Sequence, residues 1–489
     1  MVRPPESFDQ SLAEMQAGWA ADMGGPGDLE RGTIVALPSI TFPSVELRKI
    51  TGIQFYEERL MYLLLLLRSP KVRLVYLTSL PVDPAIVDYY LSFIGDEKDA
   101  QARLKMISVG DPEPSALTGK LLRASEVMEG VKEFVDGDTS AYIFPFNVTE
   151  LEGRFAEHVG LPLYGPRPDL VPLGSKSGSR RIAVRAGVPL LEGSEDLYSI
   201  EDVETAVMEL KKNRPGAEAA VIKLNNGFSG QGNAIVDFNS VRFPLIEAPT
   251  TFCAFGESWA AYVEKIASEG AVVEELVRVP GTESPSVQLR IAPSGSVDTL
   301  STHDQILGGP DDQVYLGCRF PARSDYRRQI LDLALETAKV LADEGVVGPF
   351  GIDFLVVPGS PEPDIYLSEI NLRVGGTTHP FNMALLATKG TYDVTTGELS
   401  VDGVTKYYVA TDNLKSDDYL GMTPQQAITA LDEAGLAYDD STKTGATLHL
   451  LGALPQYGKL GALCIANSRE AATDLYENVV AAVDVAASS

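Results

Sequence analysis

Two acids and an amide lie on a predicted β-hairpin late in the chain. Its first strand contains Asp353, its second contains Glu369 and Asn371, and a Pro/Gly-rich turn separates the two strands. Because side chains alternate along a strand, Glu369 and Asn371 should share one face while Ile370 points to the other. Carboxylate and amide oxygens are hard ligands that suit Mg²⁺. Arg373, two residues further on, suits phosphate. The hairpin therefore predicts a site for Mg²⁺ and a polyphosphate.

The hairpin also has a simpler interpretation, which is an edge hairpin with a solvated polar face. Short motifs often match by chance, so the hairpin alone leaves both interpretations open. Segments upstream of it favour the metal and phosphate site.

Two of these upstream segments carry lysines that suit phosphate binding. Lys223 lies near the end of a predicted strand and precedes the loop Asn-Asn-Gly-Phe-Ser-Gly-Gln-Gly at 225–232. The glycines of this loop let backbone N–H groups approach phosphate oxygens closely. Lys176 lies at the start of a predicted helix, where a cation is unfavourable unless it shares an anion with the helix N-terminus. Each lysine also fits a solvated surface position, and the loop lacks the Gly-Lys-Ser/Thr ending of a Walker A sequence.

Composition limits the class of protein. A chain of 489 residues is too long for one core and predicts about three domains. Its net charge of -28 disfavours binding to nucleic acid and to anionic membranes. The three cysteines form no CxxC pair, so neither a disulfide framework nor a structural zinc site is expected. No signal peptide or membrane span is visible, and a cytoplasmic protein is the expectation.

The order of predicted elements divides the chain into four segments. Residues 1–31 are polar and glycine-rich and are expected to form a loosely ordered N-terminal tail. Over residues 32–165 strands alternate with helices, which predicts a mostly parallel sheet covered by helices. Residues 166–400 carry the hairpin, the glycine-rich loop and both lysines. Residues 401–489 are expected to form a small C-terminal cap domain.

Taken together, these segments resemble the ATP-grasp superfamily. The features that match in order and approximate spacing, over about residues 166–397, are Lys176, Lys223 with its glycine-rich loop, Val-Val-Glu-Glu at 272–275, Asp353, and Glu-Ile-Asn-Leu-Arg at 369–373. The whole layout, including Gly-Gly-Thr-Thr-His-Pro and Leu-His-Leu-Leu-Gly-Ala-Leu, is similar to the pheganomycin-type peptide ligases. The implied fold is α/β and α+β. It comprises a Rossmann-like pre-ATP-grasp domain, an ATP-grasp domain with a glycine-rich lid, and a small C-terminal α/β cap.

The resemblance implies roles for individual residues. ATP phosphates would contact Lys176 and Lys223, under a lid that includes Gly227, Ser229, Gly230 and Gly232. Adenine would be held by Glu274 and the backbone of Glu275, Leu276 and Val277, with the ribose hydroxyls on Glu275 as an alternative. One or two Mg²⁺ ions would be ligated by Asp353, Glu369 and Asn371. Arg373 would stabilise charge on the transferring phosphoryl group. Asp353 stands where many family members carry Glu.

The resemblance also implies a reaction. Such enzymes make an acylphosphate from ATP and a carboxylate, and an amine then displaces phosphate to give an amide. The expected activity is that of an ADP-forming ligase acting on a small-molecule carboxylate and the amine of an amino acid or peptide, with no nucleic-acid or membrane partner. Ligases of this kind are often homodimers. Two alternatives stay open, namely another ATP-grasp enzyme (a carboxylase or phosphotransferase) and a catalytically inactive nucleotide-binding protein.

Three further side chains are candidates for the catalytic or substrate site. Arg290 lies on a predicted strand and could hold a substrate carboxylate through two hydrogen bonds, although a surface arginine fits equally well. His303 and Gln305 share one face of a predicted strand and could line the acceptor site, although a packed structural histidine is the simpler interpretation of His303. No direct role is expected for His449 or Lys459.

Overall fold

The computed structural model describes residues 6–22, 31–42, 47–48, 50–227, 232–245, 250–254, 256–309 and 312–488. The strands are β1 Gly32–Leu37, β2 Val72–Thr78, β3 Leu104–Ser108, β4 Tyr142–Pro145, β5 Gly193–Leu197, β6 Ala219–Leu224, β7 Asn233–Asp237, β8 Thr250–Phe252, β9 Ala271–Glu275, β10 Pro285–Ile291, β11 Val297–Gly308, β12 Val314–Phe320, β13 Gly348–Val357, β14 Asp364–Asn371, β15 Thr391–Asp393, β16 Glu398–Val401, β17 Val404–Lys415, β18 Gly445–His449 and β19 Lys459–Ala466.

The α-helices are α1 Glu6–Asp22, α2 Pro84–Leu91, α3 Glu97–Ala102, α4 Leu117–Leu121, α5 Ser125–Val135, α6 Glu150–Val159, α7 Lys176–Ala186, α8 Ile200–Asn213, α9 Trp259–Glu269, α10 Arg327–Asp343, α11 Thr378–Thr388, α12 Pro424–Glu433, α13 Leu454–Tyr457 and α14 Arg469–Ala487. Segments of 3₁₀ helix span Ile53–Arg68, Pro168–Gly174, Asp417–Tyr419 and Leu451–Ala453.

The first sheet is parallel and four-stranded, in the order β3-β2-β1-β4. Its strands are the ones that the alternation of strands and helices predicts. β1, β2 and β4 are buried on both faces or nearly so, whereas the edge strand β3 is only partly buried. Residues 116–135, where the sequence favours one helix, form α4 and α5 with a break at residues 122–124. The prediction of a parallel α/β unit is confirmed.

The prediction of a loosely ordered tail is wrong for residues 6–22. These residues form α1, which packs on the first sheet through Leu12 and Trp19, both buried. Gln16 anchors the helix by donating hydrogen bonds of 2.9 Å to the carbonyls of Leu163 and Gly165. Apolar residues at helical spacing therefore make this segment a packed helix, although the stretch that follows it is rich in glycine.

The second sheet is antiparallel and joins distant parts of the chain. Its strands run in the order β14-β13-β10-β11-β12-β17-β16-β15, and β19 pairs with both β17 and β18. The strands of the predicted C-terminal cap thus continue the sheet that carries the acidic hairpin. The predicted boundary between residues 400 and 401 falls within β16, which pairs with β17. The division into domains stays a prediction.

A third sheet carries Lys223. Its five antiparallel strands run in the order β5-β9-β6-β7-β8, with α8 and α9 packed against it. Before it in the chain, α7 begins at Ser175, whose Oγ accepts from the N–H of Gly178 at 3.0 Å, and ends at Gly187 in the left-handed conformation (φ 68°). The sheet and α7 bring Lys223 and Lys176 to the same region.

The helical segment between β1 and β2 also reaches the second sheet. The helix predicted over residues 52–67 forms as the 3₁₀ helix Ile53–Arg68, whose run of leucines at 63–67 is mostly buried between β2 and α11. Of its two arginines, Arg68 ends the helix and Arg59 lies within it. None of the helices in the described ranges has both the length and the apolarity of a membrane span.

Candidate functional site

A cavity of about 1060 Å³ lies where the three sheets meet. The predicted residues that line it are Lys176, Lys223, Gly227, Glu275, Leu276, Val277, Asp353, Glu369, Asn371 and Arg373. Four predicted residues, Glu274, Arg290, His303 and Gly232, are described but do not line it. Ser229 and Gly230 lie outside the described residues. Gly232 packs at the base of the glycine-rich loop, where a Cβ would lie 2.9 Å from the Cα of Gly227.

The acidic hairpin presents its polar side chains to this cavity. Asp353 on β13 lies opposite Glu369 on β14, and Ile370 is buried on the other face of the strand. The side-chain nitrogen of Asn371 donates to Asp353 Oδ2 at 3.1 Å and to Glu369 Oε1 at 2.8 Å. One atom thus lies within hydrogen-bonding reach of both carboxylates.

This arrangement fits a hard divalent cation. Two carboxylates that share one donor are close enough to share one cation, and the amide of Asn371 can present its oxygen instead of its nitrogen by rotating. Arg373 donates to the oxygen of Asn371 at 2.9 Å and so restrains that amide. The described residues contain no cluster of three or more His, Cys, Asp or Glu that could hold a metal.

Asp353 is held by two neighbours that the motif did not include. Burial raises the pKa of the Asp353 carboxyl, and hydrogen bonds from Ser286 and Gln305 and the charges of Lys176 and Arg373 oppose that rise. Ser286 lies directly opposite Asp353 on β10. Both neighbours line the cavity. Gln305 is one of the two residues that the sequence suggests for the acceptor site, whereas Ser286 has no spacing that would single it out.

Lys176 forms an ion pair with Glu369 at the edge of the acidic cluster. Burial, with repulsion from Lys223 and Arg373, lowers the pKa of Lys176 to about 7. Its backbone N–H donates to the carbonyl of Asn225 at 3.1 Å. The side chain of Asn225 in turn accepts from the N–H (2.9 Å) and hydroxyl (2.8 Å) of the next residue in the helix. Asn225 therefore joins the start of α7 to the end of β6, a positioning role that sequence reasoning missed.

Glu274 has a different place from the one predicted. It is 3% exposed, and its two oxygens accept from Arg180 Nη1 and Lys223 Nζ, each at 2.8 Å. Burial acts to raise the pKa of Glu274, but Lys223 and Arg180 outweigh burial and hold it below its usual value. The predicted contact of this carboxylate with adenine is therefore corrected, since both oxygens face cations inside the protein. Glu274 fixes the position of Lys223.

The next three residues do reach the cavity wall. Glu275 ends β9 and pairs through its carboxylate with Arg214 at 2.8 Å. Leu276 and Val277 follow beyond the end of the strand, and Leu276 donates its N–H to the carbonyl of Ala219 at 3.1 Å. This segment offers backbone groups and apolar side chains next to Lys223.

Neither Arg290 nor His303 is brought into the cavity, which corrects both assignments. Arg290 donates from Nε to Asp298 at 3.1 Å. His303 is fully buried and is hydrogen-bonded through Nε2 to the hydroxyl of Tyr408 at 2.6 Å. Burial lowers the pKa of His303 to about 3. The neighbouring strands cover this histidine with the rings of Tyr408 and Phe320, which the sequence of its own strand cannot reveal.

One group of cavity residues comes from outside the segment that carries the motifs. We call it the Lys459 subsite, and it consists of Tyr56, Arg59, Asp412, Asn413 and Lys459. Arg59 pairs with Asp412 and lies over the ring of Tyr56, 4.3 Å from its centroid. No direct role is expected for Lys459 from the sequence motifs, yet its side chain lines the cavity. A usable signal was present, because Arg59 and Lys459 are isolated cations within otherwise buried segments.

Comparisons with known proteins give the family of the chain. The family described as "IQCH-like, ATP-grasp" matches residues 246–395, and the "PGM1 C-terminal domain" family matches residues 426–479. L-propargylglycine–L-glutamate ligase of Streptantibioticus cattleyicolor is 31% identical over 452 residues, which are 90% of this chain and 92% of that protein. IQ motif-containing protein H of Danio rerio is 21% identical over 82% of this chain and 42% of its own length.

Solved structures give the same fold at low sequence identity. Biotin carboxylase of Campylobacter jejuni, in an ATP-analogue complex, has a TM-score of 0.55 at 16% identity and covers 93% of this chain and 94% of its own. An ADP complex of N5-carboxyaminoimidazole ribonucleotide synthetase has a TM-score of 0.52 at 14% identity and covers 91% of this chain and 95% of its own. The predicted fold class is confirmed. Because a relative 31% identical over nine-tenths of the chain is itself a ligase, the chain belongs to the pheganomycin-type ligases of the ATP-grasp superfamily.

Proposed function

We propose that this ligase uses Mg²⁺ and ATP to convert the carboxylate of one amino acid to an acylphosphate and joins it to the amine of another, releasing ADP and phosphate. The observation that carries the proposal is the meeting of Lys176, Asp353, Glu369, Asn371 and Arg373 in one cavity. The curated relative is named for L-propargylglycine and L-glutamate. We therefore take an apolar amino acid and an acidic amino acid as the proposed substrates.

Lys176 and Glu369 are proposed to change partners when the nucleotide binds. In the structure each neutralises the charge of the other. An ATP phosphate would offer Lys176 a new anion, and a cation held by Asp353, Glu369 and Asn371 would offer Glu369 a new positive charge. Buried charges would stay paired throughout, which matters because an unpaired buried charge is costly. Bound there, Mg²⁺ would neutralise phosphate charge during an in-line transfer.

The other groups would hold and position the nucleotide. Lys223, fixed by Glu274, would contact phosphate oxygens, and the backbone at Leu276 and Val277 would face the adenine. Arg373 would stabilise charge on the transferred phosphoryl group, as preorganised cations do in such reactions. The lid role of residues 227–232 stays a prediction.

The test is ADP release from Mg²⁺–ATP in the presence of paired amino acids, with L-glutamate and L-norvaline as the first pair. We expect ADP together with a dipeptide mass, and a hydroxamate when hydroxylamine replaces the acceptor. AMP with pyrophosphate would contradict an acylphosphate mechanism. ATP binding without ADP release from any acid would favour the inactive nucleotide-binding alternative. Phosphorylated acid without amide would favour a phosphotransferase.

Replacing Lys223 by alanine is expected to raise the apparent Michaelis constant for ATP by about 10- to 100-fold. A hydrogen bond between charged groups contributes about 1.5–3 kcal/mol, which corresponds to that range. The matched control is Lys212→Ala on the exposed side of α8, which should leave the constant unchanged. If Lys223→Ala also left it unchanged, the phosphate contact would have to lie elsewhere.

We also infer a cytoplasmic location, where ATP and free amino acids are available. All three cysteines are buried and none of them forms a disulfide in the described residues, which is compatible with a reducing compartment. A homodimer stays a proposal from the resemblance, and light scattering of the purified protein would test it.

A further inference from the structure

Lys459 carries a buried charge with no carboxylate beside it. It begins β19, a strand whose eight residues are all buried, and is itself 6% exposed. Its ammonium donates to the hydroxyl of Tyr56 and to Asn413 Oδ1 at 2.9 Å, both neutral acceptors. Among the described residues it has no ion-pair partner. An ammonium has three N–H donors, so these two bonds leave one for the cavity that Lys459 lines.

The surroundings of Lys459 add positive charge rather than remove it. The acid of the Lys459 subsite, Asp412, is occupied by Arg59 and by Asn413, whose side-chain nitrogen donates to it at 3.0 Å. Exposed Lys415 also lines the cavity. Burial, with repulsion from Arg59 and Lys415, lowers the pKa of Lys459 to about 8. The subsite therefore carries a net positive charge inside a chain whose overall charge is -28.

The other cavity lysines do not share this property. Lys176 pairs with Glu369, and Lys223 pairs with Glu274. A buried cation without a counter-ion is unfavourable, so a site that keeps one should bind an anion there. Apolar side chains line the same cavity and offer contacts for the carbon skeleton of a small ligand, namely Ile40, Phe42, Ile50, Ile53 and Phe146.

We infer that Lys459 binds a spectator carboxylate of an amino acid substrate. By spectator we mean a carboxylate that stays unchanged while a different carboxylate is activated and joined to the amine. The inference rests on the proposed function. Two sources offer the same chemistry: the α-carboxylate of the acceptor, and the second carboxylate of a dicarboxylic donor. Lys459 is thus a specificity-determining residue supplied by the C-terminal part of the chain.

The experiment compares each carboxylate with its amide. In the acceptor arm, ADP release with L-glutamate is measured with L-norvaline and with L-norvalinamide. In the donor arm, hydroxamate formation with L-glutamate is compared with that of its monoamide, L-glutamine or L-isoglutamine, that keeps the reacting carboxylate and so still forms a hydroxamate. We expect the wild type to prefer the carboxylate in one arm, and Lys459→Gln, which keeps a donor but not the charge, to lose about 10- to 100-fold of that preference in kcat/KM. The arm affected identifies the source of the carboxylate.

Two further variants separate binding from structure. Lys459→Arg keeps the charge and should retain most of the preference. Lys406→Gln is the matched control, because Lys406 is also buried in this sheet, donates to Asn467 Oδ1 at 2.7 Å and Thr442 O at 3.3 Å, and does not line the cavity. It should leave the preference unchanged.

Equal use of carboxylate and amide by the wild type in both arms would overturn the inference, and this result needs no variant. A preference that persists in Lys459→Gln would also overturn it. No ADP release with any pair would instead contradict the proposed function. Calorimetric titration of L-glutamate and L-norvaline into the wild type with Mg²⁺–ADP then decides the inference alone. Binding lost in Lys459→Gln would support it, and no binding, or binding unchanged in that variant, would overturn it.

Discussion

Glu369→Gln is expected to reduce ADP release by about 10²- to 10³-fold, the range for removing one preorganised electrostatic contact from a reacting group. The carboxylate of Glu369 faces that of Asp353 across the hairpin, and both are within reach of Asn371. Glutamine has the same shape but no charge, so it weakens the attraction for a divalent cation without altering the packing. The measurement is the rate of ADP release at saturating ATP and Mg²⁺.

The stability of this variant should change little. Lys176 loses its ion-pair partner, but its pKa of about 7 means that it can release its proton at small cost near neutral pH. Thermal unfolding of Glu369→Gln should therefore resemble that of the wild type. Glu362→Gln, an exposed substitution in the turn of the same hairpin, is the matched control and should keep full activity. Full activity in Glu369→Gln would show that the metal site is elsewhere.

Local patterns were enough to predict the parts of the fold that depend on one segment. The alternation of Glu369, Ile370 and Asn371 gives the two faces of β14, since neighbouring side chains on a strand must point apart. The order of strands and helices gives the parallel sheet, because a helix between two strands returns the chain so that the strands run parallel. Gly187, in the left-handed conformation, ends α7 where the sequence places that end.

Contacts between distant segments could not be predicted in this way. Glu274 and Glu275 alternate on β9 as expected, but which of them faces the cavity depends on Arg180, which lies in another element. His303 is enclosed by a tyrosine from a strand more than 100 residues away. Lys459 reaches the cavity because β19 pairs with β17 in the second sheet. Such placements follow from sheet order, which a single sequence does not specify.

Replacing Glu274 by alanine is expected to lower the free energy of unfolding by about 3–5 kcal/mol, the cost of leaving a buried charge without its partner. Arg180 keeps a second carboxylate, Glu195, at 2.8 Å, whereas Lys223 has no other carboxylate partner among the described residues. Glu275→Ala is the matched control on the same strand. The partner of Glu275, Arg214, is half-exposed, so losing this ion pair should lower the free energy of unfolding by at most about 1 kcal/mol. Urea denaturation of both variants measures the difference.

The pH dependence of this difference has a defined sign. The pKa of Glu274 lies below its usual value in the folded protein, so its ion pairs stabilise the fold above the unfolded-state pKa of about 4.3. That stabilisation is lost as the pH falls through the folded-state pKa, and the gap between wild type and Glu274→Ala should narrow under acid conditions. The same variant should raise the apparent ATP constant, because Lys223 loses the group that positions it. Weaker ATP binding with unchanged unfolding at neutral pH would instead restore a direct contact between Glu274 and the nucleotide.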